Sequence, residues 1–297
     1  MRNLFNEAMI PFWIAVGSTA TAVALLIAIL SWRRPRTPTP KSEKPPRLTV
    51  RRILSPGDDD LQAAYDVYRK EITNRSELDS FDDIQRWLAE AEQSRRTPEP
   101  PNLDEYLLIA KSAKRVCGFF YGQYYRSHHM FLVGYLAMDH DSDDAKRETS
   151  LAIIKYLVRL LKKDHSNCAG VIFEIALESK RHQQSRTAKE RLFAVRARKV
   201  GVVFKRLDIK YRQPKLSLWD PSLTEQRQHL VYGRLSGPPL SGHIGKQEAS
   251  HVLDVVYNYW YGDYYLDEPP KDAEYRKYLR AMYKDVVSRL PAQVGLI

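Results

Sequence analysis

A long apolar stretch near the N-terminus precedes a chain of shorter, alternating apolar and polar segments. Between residues 9 and 32 there is no charged side chain, and this run exceeds the ~20 residues that a helix needs to cross a bilayer. Trp13 and Trp32 lie near its two ends, where aromatic rings favour the level of the lipid headgroups. The pattern predicts a short tail at residues 1–8 and a transmembrane helix at residues 9–32.

The charges around this run predict its orientation. Arg2 and Glu7 nearly cancel before it, whereas the basic, proline-rich residues 33–47 follow it. A cleaved signal peptide fits poorly, because its cations would come first and its apolar region would be shorter. The positive-inside rule places the C-terminal part in the cytoplasm. We therefore expect a single-pass membrane protein whose linker, residues 33–47, is extended and also contacts anionic lipid.

After residue 47 the apolar positions alternate between the period of strands and the period of helices. The predicted strands are Leu48–Leu54, Glu105–Ala110, Arg115–Tyr125, Met130–Met138, Cys168–Leu177, Val202–Tyr211 and His229–Leu235. The predicted helices lie at residues 61–72, from about residue 80 through residue 88, and at Lys146–Lys163, Ser185–Lys199, Lys246–Tyr265 and Lys271–Leu290. Ser80 and Asp83 have the spacing of a capping box at the start of the second helix.

The connections between these elements predict the fold class. Short polar turns separate the strands between residues 105 and 138, which is typical of an antiparallel meander. The helix Lys146–Lys163 lies between two apolar strands, and such a unit normally forms a parallel crossover. We therefore expect an α/β (α+β) domain over residues 48–235, with a mixed, mostly antiparallel sheet flanked by helices. A C-terminal helical extension follows at residues 236–297.

This order of elements resembles the GCN5-related N-acetyltransferase (GNAT) superfamily. In that family the strand before the central helix pairs with the pantetheine arm of acetyl-CoA. The next turn carries a Gln/Arg-x-x-Gly-x-Gly/Ala pattern, whose amides hold the pyrophosphate at the start of the helix. Here Arg147 and Ala152 match that pattern, while Ser150 stands where the first glycine is expected. For acetyl-CoA the resemblance implies the binding residues Leu136, Met138, Lys146, Arg147, Ser150 and Ala152.

The turn before the central helix is rich in carboxylates. The aspartates are Asp139, Asp141, Asp143 and Asp144, and they would repel a pyrophosphate unless they face solvent or pair with Lys146, Arg147 or Lys155. As a calcium loop the segment would need glycine at Asp144 and glutamate at Ser150, so that interpretation fails. The sequence shows no other metal-binding motif, and the two cysteines read as buried, reduced thiols.

The resemblance also implies catalytic residues. A carboxylate on the fifth strand would act as base, which points to Glu174 and Glu178. A carboxylate within an apolar run must be paired, so Glu174 is equally well explained as a structural partner of an arginine. The tyrosine that serves as acid in the family is replaced by Ala197. Two functions follow: a membrane-anchored, acyl-CoA-dependent N-acyltransferase, or an inactive tethered sensor or interaction module of the same fold.

Net charge and aromatic content bear on other partners. The formal net charge is +11, but the cluster beside the apolar run accounts for much of the excess, so nucleic acid is not a favoured partner. Ala20, Ala24 and Ala28 have the small-xxx-small spacing that lets two helices approach closely, which would give a homodimer. The aromatic segment Tyr257–Tyr265 suggests a protein interface or the wall of a substrate pocket.

Overall fold

The computed structural model describes residues 48–71, 79–95, 102–139, 143–176, 201–215, 218, 225–263 and 269–297. These residues belong to one compact unit. None of the helices in these ranges combines the length and apolar character that a bilayer crossing requires. The predicted membrane span at residues 9–32, the linker at residues 33–47 and the predicted helix Ser185–Lys199 lie outside the described residues.

The strands are β1 (Leu48–Ile53), β2 (Leu103–Ser112), β3 (Arg115–Tyr125), β4 (Met130–Met138), β5 (Gly170–Ala176), β6 (Phe204–Arg206), β7 (Arg212–Gln213), β8 (Gln226–Arg234), β9 (His243–Gly245) and β10 (Gln293–Gly295). The helices are α1 (Leu61–Glu71), α2 (Phe81–Ser94), α3 (Asp143–Asp164), α4 (Lys246–Asp254), α5 (Tyr261–Asp263) and α6 (Pro269–Ser288). A π-helical segment, Val255–Trp260, joins α4 to α5.

The main sheet has the strand order β1-β2-β3-β4-β5-β8-β6, with β7 paired to β8 outside this path. Neighbouring strands are antiparallel except β4 and β5, which are parallel and flank α3 in the chain. This confirms the predicted meander, the parallel crossover and the mixed, mostly antiparallel sheet. The small sheet of β9 and β10 was not expected from the sequence.

The register of β4 shows one irregularity and one early separation. Tyr121 pairs with Tyr135 and Gly122 with Val133, so Gly134 is an extra residue on β4. The parallel pairing with β5 runs only from Met130 to Val133, although β4 continues to Met138. Beyond Val133 the two strands have therefore parted, and a gap opens in the middle of the sheet.

Helices cover both faces of the sheet. On one face α3 packs its apolar stripe, with the buried residues Ile153, Ile154, Leu157, Val158 and Leu161. On the other face α1 and α2 cover the strands β1 to β4, and the elements after β8 cover the strands β4, β5 and β8. The C-terminal elements thus share a core with the sheet.

Some predicted elements differ from those observed. The capping box is confirmed, since Asp83 N donates to Ser80 Oγ at 3.1 Å and Ser80 N to Asp83 Oδ2 at 3.2 Å. The predicted strand Val202–Tyr211 is wrong in extent, because only Phe204–Arg206 pairs with β8 as a strand. Leu207 forms a bridge with Leu296 near the C-terminus instead. The predicted helix Lys246–Tyr265 starts at the expected residue but changes to π geometry at Val255.

Candidate functional site

The edge of β4 around Leu136 and Met138 that lies towards β5 pairs with no strand among the residues that the structure describes. Residues 135–138 of β4 pair with β3 on one side. On the other side β5 pairs with β4 only as far as Phe173, while the opposite edge of β5 pairs with β8 along its whole length. Leu136 and Met138 are half-buried. An unpaired strand edge presents backbone N–H and C=O groups that can bind an extended ligand as an added strand.

Helix α3 begins just after β4, and a glycine on β3 sets its position. A Cβ atom at Gly118 would lie 2.8 Å from Thr149 Cγ2 and 3.0 Å from Ile153 Cδ1. Only a residue without a side chain therefore lets the second turn of α3 pack this closely on β3. Since Gly118 pairs with Met138, the start of α3 lies beside the end of β4. The free amides and the positive dipole end of a helix make such a start suited to binding an anion.

The cations predicted for this helix start have acidic neighbours. Lys146 Nζ is 3.2 Å from Glu71 Oε1 at the end of α1, which ties α3 to the layer on the opposite face. Arg147 is half-exposed, and its Nη1 is 3.4 Å from the exposed carboxylate of Asp144. A long, exposed pair of this kind contributes little stability, so Arg147 can exchange this partner for a bound anion at little cost.

The hydroxyl group of Ser150 forms a hydrogen bond within helix α3. Its Oγ donates to the carbonyl oxygen of Arg147 at 3.1 Å, and the residue is 1% exposed. Ala152 follows on the next turn and is half-buried. The structure thus groups Arg147, Ser150 and Ala152 on the first turns of α3, with Arg147 the most accessible of the three.

The first carboxylate of the acidic turn is neutralised. Asp139 directly follows β4, and its two oxygens bind Lys70 and Arg115. These hydrogen bonds hold the pKa of the Asp139 carboxyl below its usual value. The three residues line a cleft of about 340 Å³ next to α1. Asp141 lies outside the described residues. The predicted repulsion by Asp139 is therefore offset, and by other cations than those expected.

Two tyrosines donate hydrogen bonds to the carboxylate of Glu174. Tyr211 donates to one carboxylate oxygen, and the hydroxyl of Tyr261 donates to the other at 2.7 Å. Both tyrosines are buried, and burial raises their pKa well above the usual value, so they remain protonated donors. Glu174 lies on β5 beyond Phe173, the last residue paired with β4. Its carboxylate is therefore held on the face covered by the C-terminal elements.

The second predicted base, Glu178, and the position of the missing tyrosine, Ala197, lie outside the described residues. No sequence signal identifies Tyr211 and Tyr261 as partners of Glu174, because 37 and 87 residues separate them from it. No group of side chains suited to holding a metal ion occurs among the residues that the structure describes.

The described side chains of the aromatic segment near the C-terminus mostly pack inside the protein. Tyr257 and Tyr261 are buried, and the hydroxyl of Tyr257 donates to the carbonyl oxygen of Arg212 at 2.8 Å. Tyr259 and Trp260 are half-buried and pack against the core. The ring of Trp260 lies over Gly134, where a Cβ atom would come within 2.5 Å of its Cη2. The segment thus forms one wall beside the gap in the sheet.

Comparison with known proteins gives structural neighbours only. No family model matches the sequence, and no curated protein matches it. A putative GNAT-family acetyltransferase from Desulfovibrio desulfuricans is 11% identical, with 64% of this chain and 100% of that chain covered and a TM-score of 0.41.

Two further neighbours are similar. An N-acetyltransferase from Staphylococcus aureus is 13% identical over 64% of this chain and 99% of that one, with a TM-score of 0.40. The ribosomal-protein-S18-alanine N-acetyltransferase from Escherichia coli is 13% identical over 65% and 96%, with a TM-score of 0.38. At these identities and TM-scores the likeness says nothing of activity, which has to follow from the side chains and strands described above.

Proposed function

We propose that this protein is a GNAT-type, acyl-CoA-dependent N-acyltransferase tethered to a membrane. The observation that carries the proposal is the separation of β4 from β5 directly before the start of α3. An unpaired strand edge suits the amide groups of a pantetheine arm. A helix start with a half-exposed Arg147 suits a pyrophosphate. The strand edge comes directly before the helix along the chain, as the pantetheine arm comes directly before the pyrophosphate in acyl-CoA.

In this proposal the chain positions the reactants by three groups. The edge of β4 around Leu136 and Met138 orients the acyl arm, and Arg147 holds the phosphate end. Glu174 lies on the strand across the gap, where it would accept a proton from the attacking amine through a water molecule. Acyl-CoA supplies the thioester whose acyl group is transferred to the amine.

A second candidate function is an acyl-CoA-binding module without catalysis. It is favoured by Glu174, whose two oxygens already accept hydrogen bonds from Tyr211 and Tyr261, which weakens a carboxylate as a base. Release of free thiol from acetyl-CoA in the presence of amines distinguishes the two functions. Turnover supports the transferase, and binding without thiol release supports the module.

Calorimetric titration of the full-length chain with acetyl-CoA tests the binding itself. We expect Arg147→Ala to weaken binding by about tenfold, the effect of losing one charge-assisted hydrogen bond. Arg159→Ala is the matched control, since Arg159 is an exposed arginine further along the same helix. No binding by the wild type at millimolar acetyl-CoA, or equal affinity of both variants and the wild type, would contradict the proposal.

The tether is supported by the sequence alone. The uncharged residues 9–32 and the basic residues 33–47 would hold the catalytic domain close to the cytoplasmic face, with the linker in contact with anionic lipid. Alkaline carbonate extraction and protease protection of intact cells test this arrangement. Release of the chain by carbonate, or digestion of its C-terminal part from outside, would contradict it.

A further inference from the structure

A polar row interrupts the apolar sheet face between the two helical layers. Glu105 on β2 pairs in register with Gln123 on β3, and both are half-buried. Towards one end of the strands lie Leu107 and Tyr121, which belong to the core beneath α1 and α2. Towards the other end lies Tyr125, in the core beneath the C-terminal elements. Burying a polar side chain between two apolar cores costs free energy unless it has a partner. The polar pair is therefore explained if the junction is open to solvent or to a ligand.

The carboxylate of Glu105 is only partly satisfied. Its Oε1 accepts hydrogen bonds from the Tyr121 hydroxyl at 2.9 Å and from Gln123 Nε2 at 3.4 Å. Its Oε2 receives none from the described residues, and it is not among their fully buried unpaired atoms. Both donors are neutral, and Glu105 forms no ion pair with a described residue. One oxygen of a nearly buried carboxylate is thus left for a partner outside the chain.

Tyr121, which donates to this carboxylate, belongs to a group of aromatic rings. Trp87 on α2 stacks on Tyr121, with 5.1 Å between the ring centroids and 23° between the planes. Trp260 also lies near Tyr121, with 6.4 Å between the ring centroids and 43° between the planes. The faces of tryptophan and tyrosine rings attract cations. Aromatic rings next to a carboxylate that lacks an ionic partner are features that recognise an organic ammonium group.

The electrostatic neighbourhood favours a cation as well. Burial raises the pKa of Glu105 to about 7, and the nearby carboxylate of Glu90 on α2 also raises it. Arg52 on β1 acts in the opposite direction, and Arg95 lies within range of the same carboxylate. Arg52, however, is directed at the backbone carbonyl of Glu105 and the ring of Tyr106. An incoming ammonium would therefore stabilise the ionised carboxylate that burial disfavours.

The register connects this group to the gap in the sheet through Tyr121 and Trp260. Tyr121 pairs with Tyr135 on β4, the residue directly after Gly134, and Trp260 packs over Gly134. We propose that Trp87, Glu90, Glu105, Tyr121 and Trp260 form an acceptor site that binds the substrate as a cationic amine. This inference rests on the proposed function, since it names the class of acceptor that the transferase would use.

Titration of the full-length chain with benzylammonium, without any acyl-CoA, tests the site. Benzyl alcohol is the neutral isostere, and we expect only the cation to bind. Glu105→Gln should weaken benzylammonium binding by about tenfold or more, the effect of losing a charge-assisted contact. The matched control is Glu274→Gln, which changes an exposed carboxylate on α6 and should leave the affinity unchanged.

A pH series adds a second measurement. Because Glu105 titrates with a pKa of about 7, wild-type affinity for benzylammonium should rise from about pH 6 to about pH 8, while that of Glu105→Gln should stay flat. Trp87→Ala should also lower the affinity, which tests the aromatic wall separately. Equal binding of the alcohol and the cation, or unchanged affinity in Glu105→Gln, would overturn the proposal.

A parallel titration with acetyl-CoA separates this inference from the proposed function. If Glu105→Gln binds acetyl-CoA as the wild type does but loses the amine, the acceptor site is supported. If the wild type binds benzylammonium through Glu105 but does not bind acetyl-CoA, the site is supported and the transferase is refuted. If it binds acetyl-CoA but no amine, the acceptor site is refuted alone.

Discussion

The contact between α3 and β3 at Gly118 predicts a measurable effect of one added methyl group. In Gly118→Ala the new Cβ would lie 2.8 Å from Thr149 Cγ2, 3.0 Å from Ile153 Cδ1 and 3.1 Å from Ala110 Cβ. Overpacking of this kind costs ~1–3 kcal/mol. Replacing glycine in a strand returns only ~0.5–1 kcal/mol by restricting the unfolded chain. Because the cost of overpacking exceeds this gain, the free energy of unfolding should fall by ~0.5–2 kcal/mol.

Urea denaturation of the full-length chain in mild detergent, followed by circular dichroism, measures this loss. Gly242→Ala is the matched control, because a Cβ there meets no atom within 4 Å, and it should keep the wild-type stability or gain up to ~1 kcal/mol from the restricted unfolded chain. A second substitution, Thr149→Ser, removes the methyl group that makes the shortest contact and keeps the hydroxyl that bonds Cys117.

The double variant should therefore recover part of the lost stability, as expected for two residues in direct contact. The reasoning is refuted if Gly118→Ala unfolds at the wild-type urea concentration. It is equally refuted if Thr149→Ser destabilises the alanine variant further, because α3 would then not press on β3 at this point.

Two further predictions concern buried ionisable groups. Burial lowers the pKa of His165, so the folded state binds fewer protons than the unfolded state, whose histidine titrates near ~6.5. The contribution of His165 to stability is complete above that pH and is lost as pH falls below it. The midpoint of urea unfolding should therefore depend less on acid pH in His165→Gln than in the wild type. An unchanged pH dependence would show that His165 is not the group responsible. Glu174→Gln leaves one of the hydroxyls of Tyr211 and Tyr261 facing an amide N–H₂, so the free energy of unfolding should fall by ~1–3 kcal/mol. Urea denaturation measures this change, and unchanged stability would show that these hydrogen bonds contribute nothing.

Local patterns predicted the elements that depend on short-range physics. The capping box at Ser80 formed as expected, because its partners lie three residues apart. The apolar stripe of α3 identified a helix, because burial repeats with the helical period. The β-branched and aromatic residues of β2, β3 and β4 and the short turns between these strands identified an antiparallel meander. The parallel crossover followed from the length of the connection.

The site residues were harder to predict. Arg147 lies on the second turn of α3, because the helix starts at Asp143 rather than at the predicted Lys146, and Ser150 uses its hydroxyl within the helix. Asp139 is bound by Lys70 and Arg115, neither of which was among the expected partners. Such pairings join residues far apart in the chain, and sequence spacing carries no information on them.

The sequence by itself determined the fold class of this protein, the order of its elements from β1 to β5, and the position of the turn between β4 and α3. Only the tertiary structure decided which surfaces face each other. It placed the C-terminal elements on the same sheet face as α1 and α2, so that Tyr261 meets Glu174 and Trp260 meets Gly134. The physical reason is that hydrophobic burial is non-directional: a sequence pattern shows that a face must be covered, and the shapes of distant segments decide what covers it.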